Sequence, residues 1–221
     1  MERGGIWVVI AAFNEAGAIR AVAAEVVAGG WPLVVVDDGS RDETAAAATI
    51  PGAIVLRHVI NRGQGAALQT GIDFALARGA THIVTFDADG QHDVADLPRL
   101  IDALDVADIA LGSRFLGKAD GASPGRLRLL RVATRVSNRL SGLQLTDAHC
   151  GLRAFRASAA PALRISADRM AHASELLHKI AASGLRVVEV PATVRYTEYS
   201  MRKGQTWIQS VRILFDYVFR G

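Results

Sequence analysis

Three groups of acidic and amide side chains stand out by type and spacing: Phe13-Asn14-Glu15, Asp37-Asp38-Gly39-Ser40 and Asp87-Ala88-Asp89-Gly90-Gln91. Each follows a short β-branched run, at Ile6–Ala12, Leu33–Asp37 and Ile83–Asp87. Side chains alternate along an extended segment, so Asp87 and Asp89 point the same way. Two carboxylates on one side, followed by glycine, suit a hard divalent cation that keeps coordination positions open for phosphate oxygens. Open α/β sheets bind ligands beyond the carboxyl ends of their strands, where all three groups fall. Acids at strand ends also cap helices and close turns, a role that accounts for one such group better than for three. Asn61-Arg62-Gly63-Gln64-Gly65-Ala66 has the glycines of a phosphate-cradling loop, but neither the dinucleotide fingerprint nor a P-loop lysine.

These residues need a scaffold, and the first half of the chain supplies a regular one. Strand-like runs at Ile6–Ala12, Leu33–Asp37, Ile54–His58 and Ile83–Asp87 alternate with Ala-rich stretches at Ala16–Val27, Asp42–Thr49, Gly65–Arg78 and Val94–Leu104. Strands separated by helices imply parallel βαβ units, and strands apolar on both faces imply helices on both sides of the sheet. Asp42 is the expected N-cap of the second helix, and Pro98 belongs in the opening turn of the fourth. After a fifth strand at Ile109–Ser113 the alternation breaks. Gly117–Gly125 reads as a loop, Leu152–Phe155 and Arg186–Val190 as strands, and Ala171–Ser183 as a helix. The expectation is an α/β fold of three layers with a mixed-sheet second half.

The chain has 221 residues, half of them apolar and 21% charged, which suits one large packed core and excludes disorder and fibrous repeats. Lys+Arg of 25 against Asp+Glu of 22 leaves +3, too little for a general nucleic-acid binder. One cysteine, Cys150, excludes a disulfide framework and a Cys-based zinc site. The opening apolar run is too short for a signal peptide, and no stretch approaches 18 uncharged apolar residues. A cytoplasmic protein is expected.

Taken in order, Ala11-Ala12-Phe13-Asn14-Glu15, Asp37-Asp38-Gly39-Ser40, Asn61-Arg62-Gly63-Gln64-Gly65-Ala66, Asp87-Ala88-Asp89-Gly90-Gln91-His92, Gly112-Ser113-Arg114, Asp147 with Gly151-Leu152-Arg153, and Glu189-Val190-Pro191 resemble the family 2 glycosyltransferases of GT-A fold. Within these the chain is most similar to the dolichyl- and polyprenyl-phosphate sugar synthases. The resemblance implies a three-layer α/β/α GT-A (nucleotide-diphospho-sugar transferase) domain over residues 1–205, with a mostly parallel, mixed central sheet. It implies that Ala11, Phe13, Glu15, Asp37 and Asp38 line base and ribose, with Gly65 and Ala88 also against the donor. Asp87 and Asp89 would carry Mg2+ or Mn2+ in the Asp-x-Asp motif, with Gln91 close by. Arg114 would lie near the phosphates, and Arg195 and Lys203 are candidates for diphosphate contacts. Family members often have Pro and Tyr where this chain has Ala11 and Phe13, and its lysine falls two places later than usual.

The activity implied is that of an inverting, metal-dependent hexosyltransferase (EC 2.4 class), from a UDP-, GDP- or dTDP-linked sugar to a polyprenyl phosphate. A lipid phosphate is largely dianionic near neutral pH and needs no protein base. The first alternative keeps the donor and uses a saccharide or other hydroxyl acceptor, for which Asp147 is the first candidate base and His149 the second. A nucleotidyltransferase is a remoter alternative. In Arg126–Leu143, arginines Arg128, Arg131, Arg135 and Arg139 at steps of three and four give a basic helical face with an apolar flank, a pattern of membrane-surface helices. Arg128 or Arg131 would otherwise grip the acceptor phosphate. Residues 206–221 form an expected amphipathic helix that packs on the core, dimerises or docks on membrane or an integral-membrane partner. The location expected is peripheral, on the inner face of the cytoplasmic membrane.

Overall fold

A computed structural model of the chain describes residues 3–166, 172–197 and 199. Seven strands form one sheet in the order β3-β2-β1-β4-β6-β5-β7. They are β1 (Ile6–Ala12), β2 (Leu33–Asp37), β3 (Ala53–Arg57), β4 (His82–Asp87), β5 (Ile109–Asp120), β6 (Arg153–Arg156) and β7 (Val187–Arg195). β1 pairs in parallel with β2 and β4, β2 with β3, and β5 with β7. β6 is antiparallel to both β4 and β5. Two antiparallel steps restore direction, so β5 runs the same way as β4. One rim of the sheet therefore collects the carboxyl ends of six strands and the start of β6.

Helices cover both faces. On one side α1 (Ile19–Ala28), α2 (Thr44–Ala48) and α4 (Leu97–Ala103) pack with Val8, Ile10 and Ala12 of β1. On the other, α3 (Gln64–Ala77) and α6 (His172–Ser183) pack with Val9, Val34 and Ile83. β1 divides its side chains between the two cores by strand alternation alone. α5 (Pro124–Ser141) packs on α6.

The differences from expectation have local causes. The expected helix at Val94–Leu104 is a 3-10 turn, Val94–Asp96, followed by α4. Asp93 accepts the Ala95 N–H at the start of the turn, and Pro98 suits the opening of α4 because it has no N–H to leave unpaired. Asp42 does not cap α2 in the ordinary way; its carboxylate accepts from Thr44 and from the Ala16 N–H, tying the loop after β2 to the loop after β1. Gly117–Asp120 is strand rather than loop. β5 continues past a bulge between Ser113 and Lys118 to pair with a β7 that extends to Arg195. Gly117 has no side chain because a Cβ there would lie 2.3 Å from the Ala192 carbonyl oxygen. No helix among the described residues is long and apolar enough to cross a membrane. The terminal segment 206–221 lies outside the described residues.

Candidate active site

Asp87 closes β4, and Asp89 sits two residues on in the turn. His92 Nε2 lies 2.9 Å from Asp87 Oδ2. Nδ1 of this buried imidazole has no hydrogen-bond partner among the described residues. A proton is cheaper on the partnered nitrogen, so Nε2–H donates to Asp87. The His92 ring stands edge-on to Phe86 at 5.5 Å, which fixes its plane. Burial pushes the Asp87 carboxyl up, but the His92 hydrogen bond and the charges of His92, Arg153 and Arg114 outweigh it and hold Asp87 below the ordinary carboxylate range. Asp89 goes the other way, raised to about 6 by burial and by the charge of Asp87. Its Oδ1 accepts the Gln91 N–H at 3.1 Å.

Two crowded carboxylates, one of them resisting ionisation, fit a divalent cation that would relieve their repulsion. The backbone leaves room for the Asp87 carboxylate. A Cβ on Gly151 would fall 2.2 Å from Asp87 Oδ2, so the carboxylate lies in a cradle that a side chain would fill. No group of three or more His, Cys, Asp or Glu side chains converges among the described residues. A cation on Asp87 and Asp89 would thus take its remaining oxygens from diphosphate and water.

The neighbouring rim loops are held by side chains for which the resemblance implied nucleotide contacts. Asn14 adopts a left-handed backbone (φ 54), which asparagine tolerates. It donates its N–H to Ser40 Oγ and accepts the Arg41 N–H. Asp37 is fully buried, accepts from Ser40 N and lies 3.1 Å from Arg57 Nε. Asp38 accepts from the N–H groups of Arg62 and Gly63 and lies 2.7 Å from His58 Nδ1. Both carboxylates therefore brace loops rather than face solvent. Gly65 is buried in the first turn of α3, Ala88 is buried beside the acid pair, and Ala11 pairs with both Val36 and Asp87. Phe13 is 41% exposed on the rim. The Tyr199 hydroxyl donates to Glu15 Oε2 at 2.8 Å, a contact between the two ends of the chain that no local pattern announces.

Arg114, expected near the phosphates, and Asp147, the first candidate base, are paired with each other. The β5 bulge turns Arg114 inward, and its guanidinium is spent: Nε donates to Asp147 Oδ2 at 2.6 Å, Nη1 to the Tyr196 hydroxyl at 2.6 Å and Nη2 to the His149 carbonyl at 2.9 Å. Asp147 is equally occupied, since it also accepts the N–H groups of Arg114 and His149 and has a fully buried side chain. Glu189 accepts from Thr146 N, Thr146 Oγ1 and Asp147 N, and so fixes the loop that carries Asp147. Burial pushes the His149 imidazole below its ordinary pKa. Arg195 is likewise occupied. Its N–H donates to the Gln91 carbonyl and its guanidinium pairs with Asp93, bracing the Asp87–Gln91 turn. Burial pushes the Cys150 thiol up to about 12, which removes it as a nucleophile. Lys203 lies outside the described residues.

Arg128, Arg131, Arg135 and Arg139 are exposed along the outer face of α5. Leu129, Val132 and Leu140 form an exposed apolar flank beside them, while Leu130, Ala133, Thr134 and Ser137 face the protein. Arg131 and Arg135 line an open cavity of about 290 Å³ together with Phe115, Thr134, Asn138 and Thr146. Arg135 joins this cavity through its helical position one turn after Arg131; the sequence assigns it to the basic helical face and not to the acceptor phosphate. His92, Glu189 and Arg153 were legible in the motifs without a stated role.

The profile described as Glycosyl transferase family 2 matches residues 7–164. An uncharacterized protein of Methanocaldococcus jannaschii is 37% identical, covering 100% of this chain and 93% of its own. The UDP-N-acetylglucosamine–dolichyl-phosphate N-acetylglucosaminyltransferase of Methanococcus voltae is 30% identical over 95% of this chain and 93% of its own. The polyprenol monophosphomannose synthase of Mycolicibacterium smegmatis is 36% identical over 77% of this chain and 69% of its own. Among solved structures, glucosyl-3-phosphoglycerate synthase from Mycobacterium tuberculosis, in complex with Mn2+, UDP and glucosyl-3-phosphoglycerate, superposes with a TM-score of 0.63 at 19% identity. It covers 96% of this chain and 78% of that one. That likeness is one of fold, and the fold is GT-A.

Proposed function

This chain belongs to glycosyl transferase family 2, and we propose that it moves a sugar from a nucleoside diphosphate to a polyprenyl phosphate at a membrane surface, inverting the anomeric carbon. The observation that carries the choice of acceptor is the state of Asp147. A hydroxyl acceptor needs a base, and this carboxylate is buried and bound on both oxygens. A phosphate acceptor arrives already ionised, with a second pKa of about 6 by analogy with phosphorylated side chains. Two relatives named for transfer to dolichyl phosphate and to polyprenol support the same class.

Asp87 and Asp89 would hold a divalent cation, which as a Lewis acid neutralises charge on the departing diphosphate. His92 keeps Asp87 oriented and ionised by donating to it. Arg195 and Gln91 hold the turn that carries Asp89. Phe13 offers an exposed ring to the base at the mouth of the rim. Arg131 and Arg135, at an open cavity with Asn138, supply fixed positive charge for the acceptor phosphate, whose oxygen attacks the anomeric carbon opposite the leaving group. The exposed arginines and apolar flank of α5 suit a helix lying on an anionic leaflet, where each basic residue contributes about 1 kcal/mol. The Arg114–Asp147–Glu189 network sets the shape of the rim without touching substrate.

The experiment is transfer of label from UDP-, GDP- and dTDP-sugars to a polyprenyl phosphate or to a panel of saccharides, with Mg2+, Mn2+ or chelator. The expected product is one sugar phospholipid, formed only with cation and of opposite anomeric configuration to the donor. Transfer to a saccharide hydroxyl with none to lipid phosphate would overturn the reading.

A further inference from the structure

Val59 and Ile60 are 99% and 68% exposed, and Val59 is the most exposed large apolar side chain among the described residues. They occupy the tip of the loop from β3 to α3, at the outer edge of the rim that carries Asp87 and Asp89. Nothing in the loop hides them, yet the loop is firmly held. Its first residue, His58, donates its N–H to the Asp37 carbonyl and bridges Asp38 and Thr70 through its ring. Its last, Arg62 and Gly63, donate N–H groups to Asp38. In the middle, Gly39 lies so close that a Cβ there would sit 2.7 Å from the Ile60 carbonyl carbon. Two aliphatic side chains are thus presented to solvent on a loop braced from both ends and from beneath.

We propose that this loop is a second membrane contact, in which Val59 and Ile60 enter the acyl boundary of an anionic bilayer while Arg57 and Arg62 meet its headgroups. Arg57 and Arg62 are exposed on either side of the pair, Arg57 with its Nε 3.1 Å from Asp37 and an Nη donating to the Ser40 carbonyl but its side chain 61% exposed, and Arg57–Gly63 contains no acidic residue. An apolar tip inside a basic collar matches a surface that is apolar within and anionic at its face. A second copy of the chain fits less well. Two side chains offer far less than the roughly 800 Å² per partner of a stable interface. The loop lies on the same rim as the acid pair, so its insertion would bring that rim to the level at which a lipid phosphate lies. The proposal rests on the lipid-phosphate reading of the site, and it adds a contact separate from α5.

The test is sedimentation of the full chain with phosphatidylcholine vesicles, with and without phosphatidylglycerol, for wild type and the Val59→Ser/Ile60→Ser variant. In parallel, transfer is measured to a short-chain, water-soluble polyprenyl phosphate. The variant is expected to lose roughly tenfold or more in partition to anionic vesicles while transferring to the short-chain acceptor at the wild-type rate. An environment-sensitive fluorophore on Ile60→Cys, selective because Cys150 is buried, should shift to the blue on vesicle addition. Unchanged partition and an unshifted fluorophore overturn the proposal. So does loss of short-chain transfer, which would assign the loop to the donor site, or a wild-type dimer that the double substitution dissolves. If vesicle binding responds as stated but no lipid phosphate accepts sugar, the membrane contact stands and the acceptor reading falls.

Discussion

Burial and the charge of Asp87 raise the Asp89 carboxyl to about 6, so in metal-free protein the folded state keeps a proton that the unfolded chain has released near pH 4. Stability from this group therefore falls as pH rises between those values and stays low above them. Asp89→Asn removes the burden. The variant is expected to be more stable than wild type at pH 7 without metal, by about 3 kcal/mol, and to gain nothing from nucleoside diphosphate with Mn2+. Calorimetry with and without ligand reads both; a metal-free variant less stable than wild type would make Asp89 a structural residue. Gly151 offers a complementary probe of Asp87. Gly151→Ala puts a Cβ 2.2 Å from the carboxylate, so cation-dependent stabilisation should disappear while circular dichroism stays native. Gly125→Ala, with open space around it in the first turn of α5, should leave ligand-dependent stabilisation at the wild-type level and, through helix propensity, raise stability by about 0.5 kcal/mol. Loss in both variants would mean that the Gly151 effect is not local.

The bulge in β5 matters more than the length of the strand it interrupts. Arg114 lies within the bulge, and its guanidinium is held by Asp147. Asp147→Asn should then act on stability first, since it leaves a buried guanidinium without its counter-charge, a change that costs about 3–5 kcal/mol. Urea unfolding of the variant measures this; an unchanged midpoint with a large fall in kcat would return Asp147 to the role of base. Among the elements, the βαβ half was legible in the sequence because each strand is a short apolar run closed by polar residues. The strand at Gly117–Asp120 was not, because Gly-Lys-Ala-Asp has no β-branched or large apolar side chain. It is strand because β7 lies beside it and supplies the ladder.

For the whole molecule, the proposed membrane contacts of the α5 arginines and the β3–α3 loop would divide binding into an electrostatic and an apolar part. Raising salt from about 0.05 to 0.5 M shortens the screening length several-fold, so partition to anionic vesicles should fall steeply in wild type. It should fall much less in a variant with Arg128, Arg131, Arg135 and Arg139 replaced by Gln. Vesicle sedimentation across a salt series checks this, and parallel curves for the two proteins would remove α5 from the membrane surface.

Much of the site was present in the chain before any folding was considered. Strand alternation, the paired aspartates and the glycines that follow them are local properties, and they pointed to the α/β class, the rim and a candidate cation-binding pair. Tertiary structure decided which of the charged residues are available. Arg114, Asp147, Asp38 and Arg195 look equally free in sequence, yet each is taken by a side chain 20 to 102 positions away or by backbone amides of another loop. Whether a charge faces substrate or is neutralised inside the protein depends on which side chains the fold brings within about 3 Å of it, and hydrogen-bond energy at that range outweighs anything the local sequence encodes.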